Sequence, residues 1–456
     1  MSFLFWLGAF AALGLPAVDA RAVVAHYMIY KTDPNTDHAQ RDVREAIAVG
    51  FDGFAMNMGT PGANWSTSTV DQLFSAAEGT EFGLFFSFDT AQHPILADHF
   101  AVLEQYRNHP NYMRAGPANF PIVSSYGGYR NGSDWAHFKS TTDIYLIPNL
   151  DDTKPGGGDT GPYYTDPAGQ LSEYNAIVDG YLSWESTWPQ SIHGPENISS
   201  VGDQAVMDYA HAAGKSYMMG LSAVQYKNLF GDSWYRVGEV NLPQRMGQIL
   251  EMKPEFTEFM TWNDGGESHY IGNMWPEAYA TDLPEILLYA NTEQWPHYAW
   301  QPLVTSFINA FKVGKSAKQM EPPAGNQAVG ALWYRGMLKT CNEKVPRNID
   351  AAVDSVNYAI VLPKSSKGLK IQVSSGGKVL TTVKANPGLN YAAVSGMRVG
   401  PQVLKLLDRR DKVLMSAAST SDVTNSSKCN FNFNVVGLKK RPPPNTDKST
   451  RSIVNE

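Results

Sequence analysis

From residue 22 to residue 311 the chain alternates short apolar runs with amphipathic stretches. The apolar runs have the length and the β-branched or aromatic content of buried strands. They fall at 22–30 (AVVAHYMIY), 53–58 (GFAMNM), 82–89 (FGLFFSFD), 120–126, 142–149, 177–184, 216–222 and 256–264 (FTEFMTWND). Helical periodicity occupies 37–49, 68–77, 95–107, 203–213, 239–251 and 302–311. Asp37 is placed to cap the first of these helices, Gly50 to stop it, and Pro302 to open the last. Eight strands, most followed by a helix, predict an α/β fold with a parallel sheet and crossover helices. Eight such units close naturally into a (β/α)8 TIM barrel, here over residues 21–312. An open doubly wound sheet is the alternative, but the first βα turn lacks a glycine-rich phosphate loop.

Beyond the barrel the period changes. Residues 313–327, Lys-rich and then Pro/Gly-containing, read as a linker. Residues 328–436 hold short alternating runs split by Gly, Pro and Ser, the pattern of a C-terminal β-sandwich domain. Residues 437–456 are basic, proline-containing and poor in hydrophobic residues, which predicts a disordered tail. At the other end, residues 1–20 carry an apolar run and a Val18-Asp19-Ala20 ending, read as a secretory signal peptide cut after Ala20. The run is shorter than the ~20 residues of a spanning helix. No membrane association is expected after cleavage, and an extracellular or cell-wall location follows. Four sequons fit that route, at Asn64, Asn131, Asn197 and Asn425. The chain's two cysteines, Cys341 and Cys429, are expected to pair in an oxidising compartment.

Charge narrows the partner. The net charge is −7, and no basic patch interleaved with aromatics precedes the tail, so nucleic acid is not expected. Charged residues make up only 18% of the chain and aromatics 12%, which suits a surface that stacks on flat neutral rings as well as it suits a large core. No HExxH spacing, GxSxG elbow or clustered His/Cys set is present, so neither a metal, a cofactor nor a serine nucleophile is expected.

Several predicted strands end in polar or aromatic residues, and in a barrel those ends converge on the face where active sites lie. They include Asn57, Asp89, Tyr126, Asn149 with Asp151 and Asp152, Trp184 with Glu185, Ser222, and Asn263 with Asp264. Glycoside hydrolysis needs two carboxyl groups across one bond. In Trp262-Asn263-Asp264-Gly265-Gly266-Glu267-Ser268, Asp264 and Glu267 can project into the same mouth, and the glycines let the loop turn sharply. Asn263 is a candidate to bind a hydroxyl or orient a carboxylate, and Trp262 to form a stacking wall. Asp89 either opens onto the mouth or caps a helix. Asp151, Asp152, Glu185, His26, His269 and Tyr270 are further substrate-binding candidates, with Trp184, Trp65, Trp188, Trp234 and Tyr235 as possible stacking rings.

The run Met260–Gly272 (MTWNDGGESHYIG) resembles the signature of fungal α-1,3-glucanases, the mutanases of glycoside hydrolase family 71. The resemblance extends to His26-Tyr27-Met28, Phe85–Asp89, Ser183-Trp184, Trp188-Pro189, Lys215–Met219 and Leu332–Arg335, in order, from about residue 22 to residue 340. It implies a secreted (β/α)8 glycoside hydrolase with a C-terminal β domain, acting on α-1,3-glucan by inversion; a monomer is expected. It also implies Glu267 as general acid and Asp264 as general base, or the reverse order. An inverting pair is expected ~6.5–9.5 Å apart. Two positions depart from the family pattern: an aromatic is usual at Gly265, and Asp at Glu185. A catalytically impaired glucan-binding wall protein and a hydrolase of another linkage are the competing readings.

Overall fold

The computed structural model describes residues 21–32, 35–127, 132–151, 161–189, 198–280 and 282–440. The signal segment, Asp152, Asn131, Asn197 and the chain beyond residue 440 lie outside the described residues.

The first eleven strands are β1 Ala22–Met28, β2 Gly53–Met58, β3 Gly83–Asp89, β4 Arg114–Ala115, β5 Phe120–Tyr126, β6 Tyr145–Ile147, β7 Gly180–Ser183, β8 Ser216–Leu221, β9 Gln225–Leu229, β10 Asp232–Arg236 and β11 Phe256–Phe259. They are interleaved with α1 His38–Val49, α2 Asn64–Ala77, α3 Leu96–Tyr106, α4 Gly132–Thr141, α5 Pro162–Thr165, α6 Pro167–Leu171, α7 Val201–Ala212 and α8 Asn241–Met252; α9 Glu277–Ala280 and α10 Gln301–Lys312 follow β11. The large sheet has the order β4-β5-β3-β2-β1-β11-β8-β7, with β6 on β5, and all of it but β4 is parallel. The sheet curls until β6 approaches β7. There the Asn149–Leu182 bridge and the bonds Leu182 N to Pro148 O (3.2 Å) and Asp179 N to Leu146 O (2.8 Å) link the two ends.

The sequence pattern follows from this geometry. Strands covered on both faces read as continuous apolar runs, as β1 and β3 do, and every residue of both is buried. Helix α1 buries His38, Ala39, Asp42, Val43, Ala46 and Val49, one stripe at helical spacing. Gly50 ends it at φ 105°, a left-handed position that costs glycine nothing. Asp37 precedes α1 without a side-chain cap bond.

Two boundaries differ from the sequence reading in ways that matter. Strand β11 stops at Phe259, so residues 260–264 are loop, not strand. After β8 the chain forms an antiparallel β9–β10 hairpin before α8, turning at Phe230 (φ 53°) and Gly231 (φ 77°). Its sequence, QYKNLFGDSWYR, lacks the polar–apolar alternation that marks a strand, so only the Phe-Gly pair at its turn signals the hairpin.

The C-terminal module has two facing sheets. One is β16 Gly388–Ser395, β13 Ser355–Leu362, β12 Val329–Arg335 and β19 Phe433–Gly437; the other is β15 Lys378–Lys384, β14 Lys370–Ser375, β17 Gln402–Leu407, β18 Val413–Ala418 and β20 Lys439–Lys440. The first sheet is covered on both sides. Leu332, Tyr334, Val356, Tyr358 and Ile360 face the second sheet. Ala331, Trp333, Ala359, Val361, Phe433 and Val435 join the same apolar core as the curled sheet, where Trp333 meets Trp300 edge-to-face at 5.8 Å. That is why β12 and β13 are buried at every position. The segment read as a linker is packed too: Met320 is buried, and Gly388 presses against the Lys318 carbonyl. Cys341 and Cys429 form the expected disulfide. The tail begins later than the sequence suggests, since Lys439 and Lys440 pair with Ser416 and Met415.

A buried ion pair crosses the junction. Glu239 accepts from Arg335 Nη1 at 3.1 Å and Val353 N at 2.9 Å on one oxygen, and from Tyr235 OH at 2.8 Å and Gly238 N at 3.1 Å on the other. Removing one member strands the other charge in the interior. Glu239→Ala is therefore expected to lower stability by about 3–5 kcal/mol. Denaturant unfolding followed by near-UV circular dichroism should show one cooperative transition for both modules, displaced in the variant; separate transitions with an unmoved first one would contradict the shared core.

Candidate active site

The rim formed by the C-terminal ends of the parallel strands holds the acidic loop. Its backbone is tied down before any side chain acts. Trp262 N continues the β1 ladder by bonding His26 O at 2.8 Å, while Thr261 N and Ile271 N bond His269 O (2.8 Å) and Thr261 O (3.1 Å). The Met260–Thr261 peptide is cis. Asn263 grips the end of β1 with both ends of its amide, accepting from Met28 N at 2.8 Å and donating to Met28 O at 3.1 Å. Tyr279 OH accepts from Gly265 N and donates to Asn263 O, and Tyr289 OH donates to Gly266 O. Gly265 has no room for a side chain: a Cβ there would lie 2.0 Å from Met274 Cε.

This frame brings Asp264, Glu267 and His269 together. One oxygen of each carboxylate and one imidazole nitrogen all lie within 4.8 Å of one another. His269 Nε2 is 3.2 Å from Glu267 Oε2 and 3.6 Å from Asp264 Oδ2. Asp264 Oδ1 accepts from Glu267 N at 3.2 Å, and Asp264 N donates to Thr261 Oγ1 at 2.9 Å. Glu267 Oε2 also receives the Gln225 amide at 2.6 Å. Burial alone would raise the Glu267 carboxyl, but the His269 hydrogen bond and charge, with the Gln225 amide, hold it below the ordinary glutamate range. Burial alone would likewise lower His269, but the Glu267 hydrogen bond and the charges of Asp264 and Glu267 lift it above the ordinary imidazole range. The set has the composition of a cation site; its contacts are those of an acid–base cluster, with an imidazolium between two carboxylates.

Around it lie more buried carboxylates. Asp89, at the end of β3, accepts from Gln92 N at 3.0 Å and Asn57 Nδ2 at 3.3 Å, and burial pushes it above the usual aspartate value. Behind it, Asn57 touches His26 Nε2 at 3.2 Å, and His26 Nδ1 meets Glu258 Oε1 at 2.7 Å. Burial pushes the Glu185 carboxyl up to about 7, against the pull of Arg236, whose Nη2 sits 2.7 Å from Glu185 Oε2. Tyr126 stands in the field of Glu267, Asp89, Glu185 and Asp151, packed edge-on to Trp184 at 4.6 Å, and burial with those charges drives its phenol far up. Tyr30 shares the field of Asp264, Glu267 and Asp89 from an exposed position on the rim.

The expected site residues therefore divide. Asp264, Glu267, His269, Asp89, Glu185 and Trp184 gather at one rim. His26 is wholly buried beneath it, a supporting residue and not a sugar contact. Asp151 staples a loop, accepting Tyr164 OH, Trp184 N and Glu185 N on one oxygen. Trp262 makes no stacking wall; it lies in the core against Phe51 and Phe54. Tyr270 is no subsite either: it is buried, stacked on His297, and bonded to Asn291 O and Trp295 O. Both changes follow from β11 ending early, which folds the loop back into the core. Trp188, Trp234 and Tyr235 are core residues, and Trp65 is exposed on α2. Asn64 and Asn425 are exposed. Gln225 and Arg236 were not anticipated, because the hairpin carrying them was not.

The family model described as Glycosyl hydrolase family 71 matches residues 19–448. A glucan endo-1,3-alpha-glucosidase, agn1, of Schizosaccharomyces pombe is 27% identical over 430 residues, covering 90% of this chain and 93% of its own. A mutanase of Penicillium rubens is 30% identical over 462 residues, covering 94% and 93%. Among solved structures, a GH99 endo-alpha-mannosidase from Bacteroides thetaiotaomicron aligns at TM-score 0.49 and 11% identity, over 64% of this chain and 97% of that one.

A raised histidine stabilises the fold fully below its unfolded value, near 6.5, and that contribution is lost as pH rises through the higher folded value. Nitrogen-15 histidine NMR is expected to show His269 titrating above the ordinary imidazole range, and Glu267→Gln to bring it down. A neutral His269 at pH 6.5 in the unaltered protein would break the cluster reading.

Proposed function

The chain belongs to glycosyl hydrolase family 71, and from that premise we propose that it hydrolyses the α-1,3-glucosidic bonds of fungal cell-wall α-glucan with Asp264 and Glu267 as the reacting carboxylates. It is a glycoside hydrolase, and its substrate is a polysaccharide; the names of its fungal relatives supply the linkage. The observation that carries the site is the convergence of two carboxylates and an imidazole within 4.8 Å at the C-terminal rim of the parallel strands. We read the curled sheet as a (β/α)8 barrel, supported by the Asn149–Leu182 link between its ends. The two facing sheets of the C-terminal module support a β-sandwich. The signal-like first 20 residues, with no described helix long and apolar enough to cross a membrane, support export to the wall as a monomer.

The roles follow from the hydrogen bonds. Glu267 Oε2 is gripped by two donors, which keeps this carboxylate ionised, so Glu267 is the member free to accept a proton and is assigned as the base. Asp264 then serves as the acid, the reverse of the first assignment. Glu267 takes a proton from water, the water oxygen bonds the anomeric carbon, the glycosidic bond breaks, and the leaving oxygen takes the Asp264 proton. One oxygen of each carboxylate lies within 4.8 Å of the other, short of the ~6.5–9.5 Å spacing that admits a water. Inversion therefore requires the substrate to part them.

Asp264→Asn and Glu267→Gln are each expected to cut reducing-end release from insoluble α-1,3-glucan by about 10²–10⁴-fold with the fold intact. Full activity in either variant would refute the assignment. Proton NMR of the first product is expected to show the β-anomer; the α-anomer would mean retention, for which the short separation would then account.

A further inference from the structure

The β9–β10 hairpin delivers two side chains to the acidic cluster. Gln225 and Arg236 are direct cross-strand partners, so they project on one face. Arg236 is buried, its guanidinium 5.2 Å from the Trp188 ring centroid. It donates through Nη1 to Gln225 Oε1 at 3.1 Å and through Nη2 to Glu185 Oε2 at 2.7 Å. A guanidinium can only donate. Gln225 Oε1 must therefore face Arg236, and Nε2 must face the other way, where Glu267 Oε2 lies 2.6 Å off. That amide nitrogen is itself a donor, so it bonds an unprotonated carboxylate oxygen more strongly than a protonated one. The same hairpin holds the main chain, since Tyr226 N bonds Glu267 O at 2.9 Å. Such a hold is needed: Glu267 follows two glycines and is the most exposed member of its cluster. The second donor, His269 Nε2, also converges on Oε2 and not Oε1.

We propose that Arg236, acting through Gln225, is a positioning device that pins Oε2 of Glu267 unprotonated and presents Oε1 as the oxygen that takes the proton. The proposal rests on Glu267 being a reacting carboxylate. Arg236 is not itself a catalytic residue; it donates to Gln225 and Glu185 and acts on Glu267 only by setting the sense of the Gln225 amide, while Glu185 anchors it from the turn after β7. The other charged and titratable groups facing Glu267 are His269, Asp264 and Lys227, with Tyr30, Tyr126 and Tyr289 on neighbouring elements and Glu185 behind Arg236.

The test is a double-mutant cycle on full-length protein hydrolysing α-1,3-glucan, with pH profiles. Gln225→Met keeps length and removes both amide bonds; Arg236→Met frees the amide to turn its oxygen toward Glu267. Each is expected to lower kcat about 10- to 100-fold with KM changed by less than about twofold. Losing a donor to a carboxylate raises its pKa, so the acidic limb of kcat/KM should move to higher pH in both. The double variant should be no worse than the more severe single. An unmoved acidic limb in Gln225→Met, or losses that add, would overturn the proposal. Arg236→Met leaves Glu185 buried without its partner and is judged only if its melting transition is intact; Gln225→Met decides otherwise. Glu267→Gln run alongside separates the failures. If it is active, the reading of Glu267 falls; if it is inactive while Gln225→Met has the unaltered profile, only the positioning device falls.

Discussion

Negative charge is concentrated at one rim of the curled sheet, and each carboxylate there must be compensated or neutralised, since burying an unpaired ion is far costlier than any single contact can offset. Asp89, Asp151, Glu185, Asp264 and Glu267 lie there, with Glu258 directly beneath. The compensation is uneven. Glu185 has a guanidinium, Glu258 an imidazole, and Asp151 main-chain amides and a phenol. Asp264 and Glu267 share a single imidazole. Asp89 has no cation beside it, only the Gln92 amide and the Asn57 side chain, and burial leaves its carboxyl above the usual aspartate value.

The groups around the pair are ordered by rigidity. Asn263, Tyr279 and Tyr289 hold the loop's backbone from three sides, so the carboxylates are carried by an immobile support despite the two glycines between them. The hairpin adds a side-chain clamp on one of them. A backbone held this way confines any rearrangement on binding to the side chains it carries.

Much of this was legible in the chain. Continuous apolar strands and striped helices such as α1 fix the parallel sheet, because strands covered on both faces cannot alternate. The Asp-Gly-Gly-Glu run marked the rim because acidic residues beside glycines after an apolar strand have few other uses. What was not legible depended on where a strand stops. FTEFMTWND has no internal break in its pattern, yet pairing ends at Phe259, and the loss of residues 260–264 from the strand turns Trp262 from a wall into core. Asn263 and His26 look like sugar ligands by residue type; only coordinates reveal that their polar atoms are already engaged by main chain or a buried neighbour, as one oxygen of Asp151 is. Gln225 and Arg236 are twelve-residue hairpin partners whose meaning lies in their being opposite each other, which composition does not encode.

The sheet β16-β13-β12-β19 is apolar on both faces and belongs to two cores at once. Such a sheet cannot serve as a detachable accessory. Were the chain severed near residue 327, Trp300 and α10 would be left facing solvent on one fragment and Trp333 on the other. Gene shuffling that swaps polysaccharide-binding appendages on flexible tethers has no foothold at this seam; the hydrolytic unit and its β module can only be inherited as a piece.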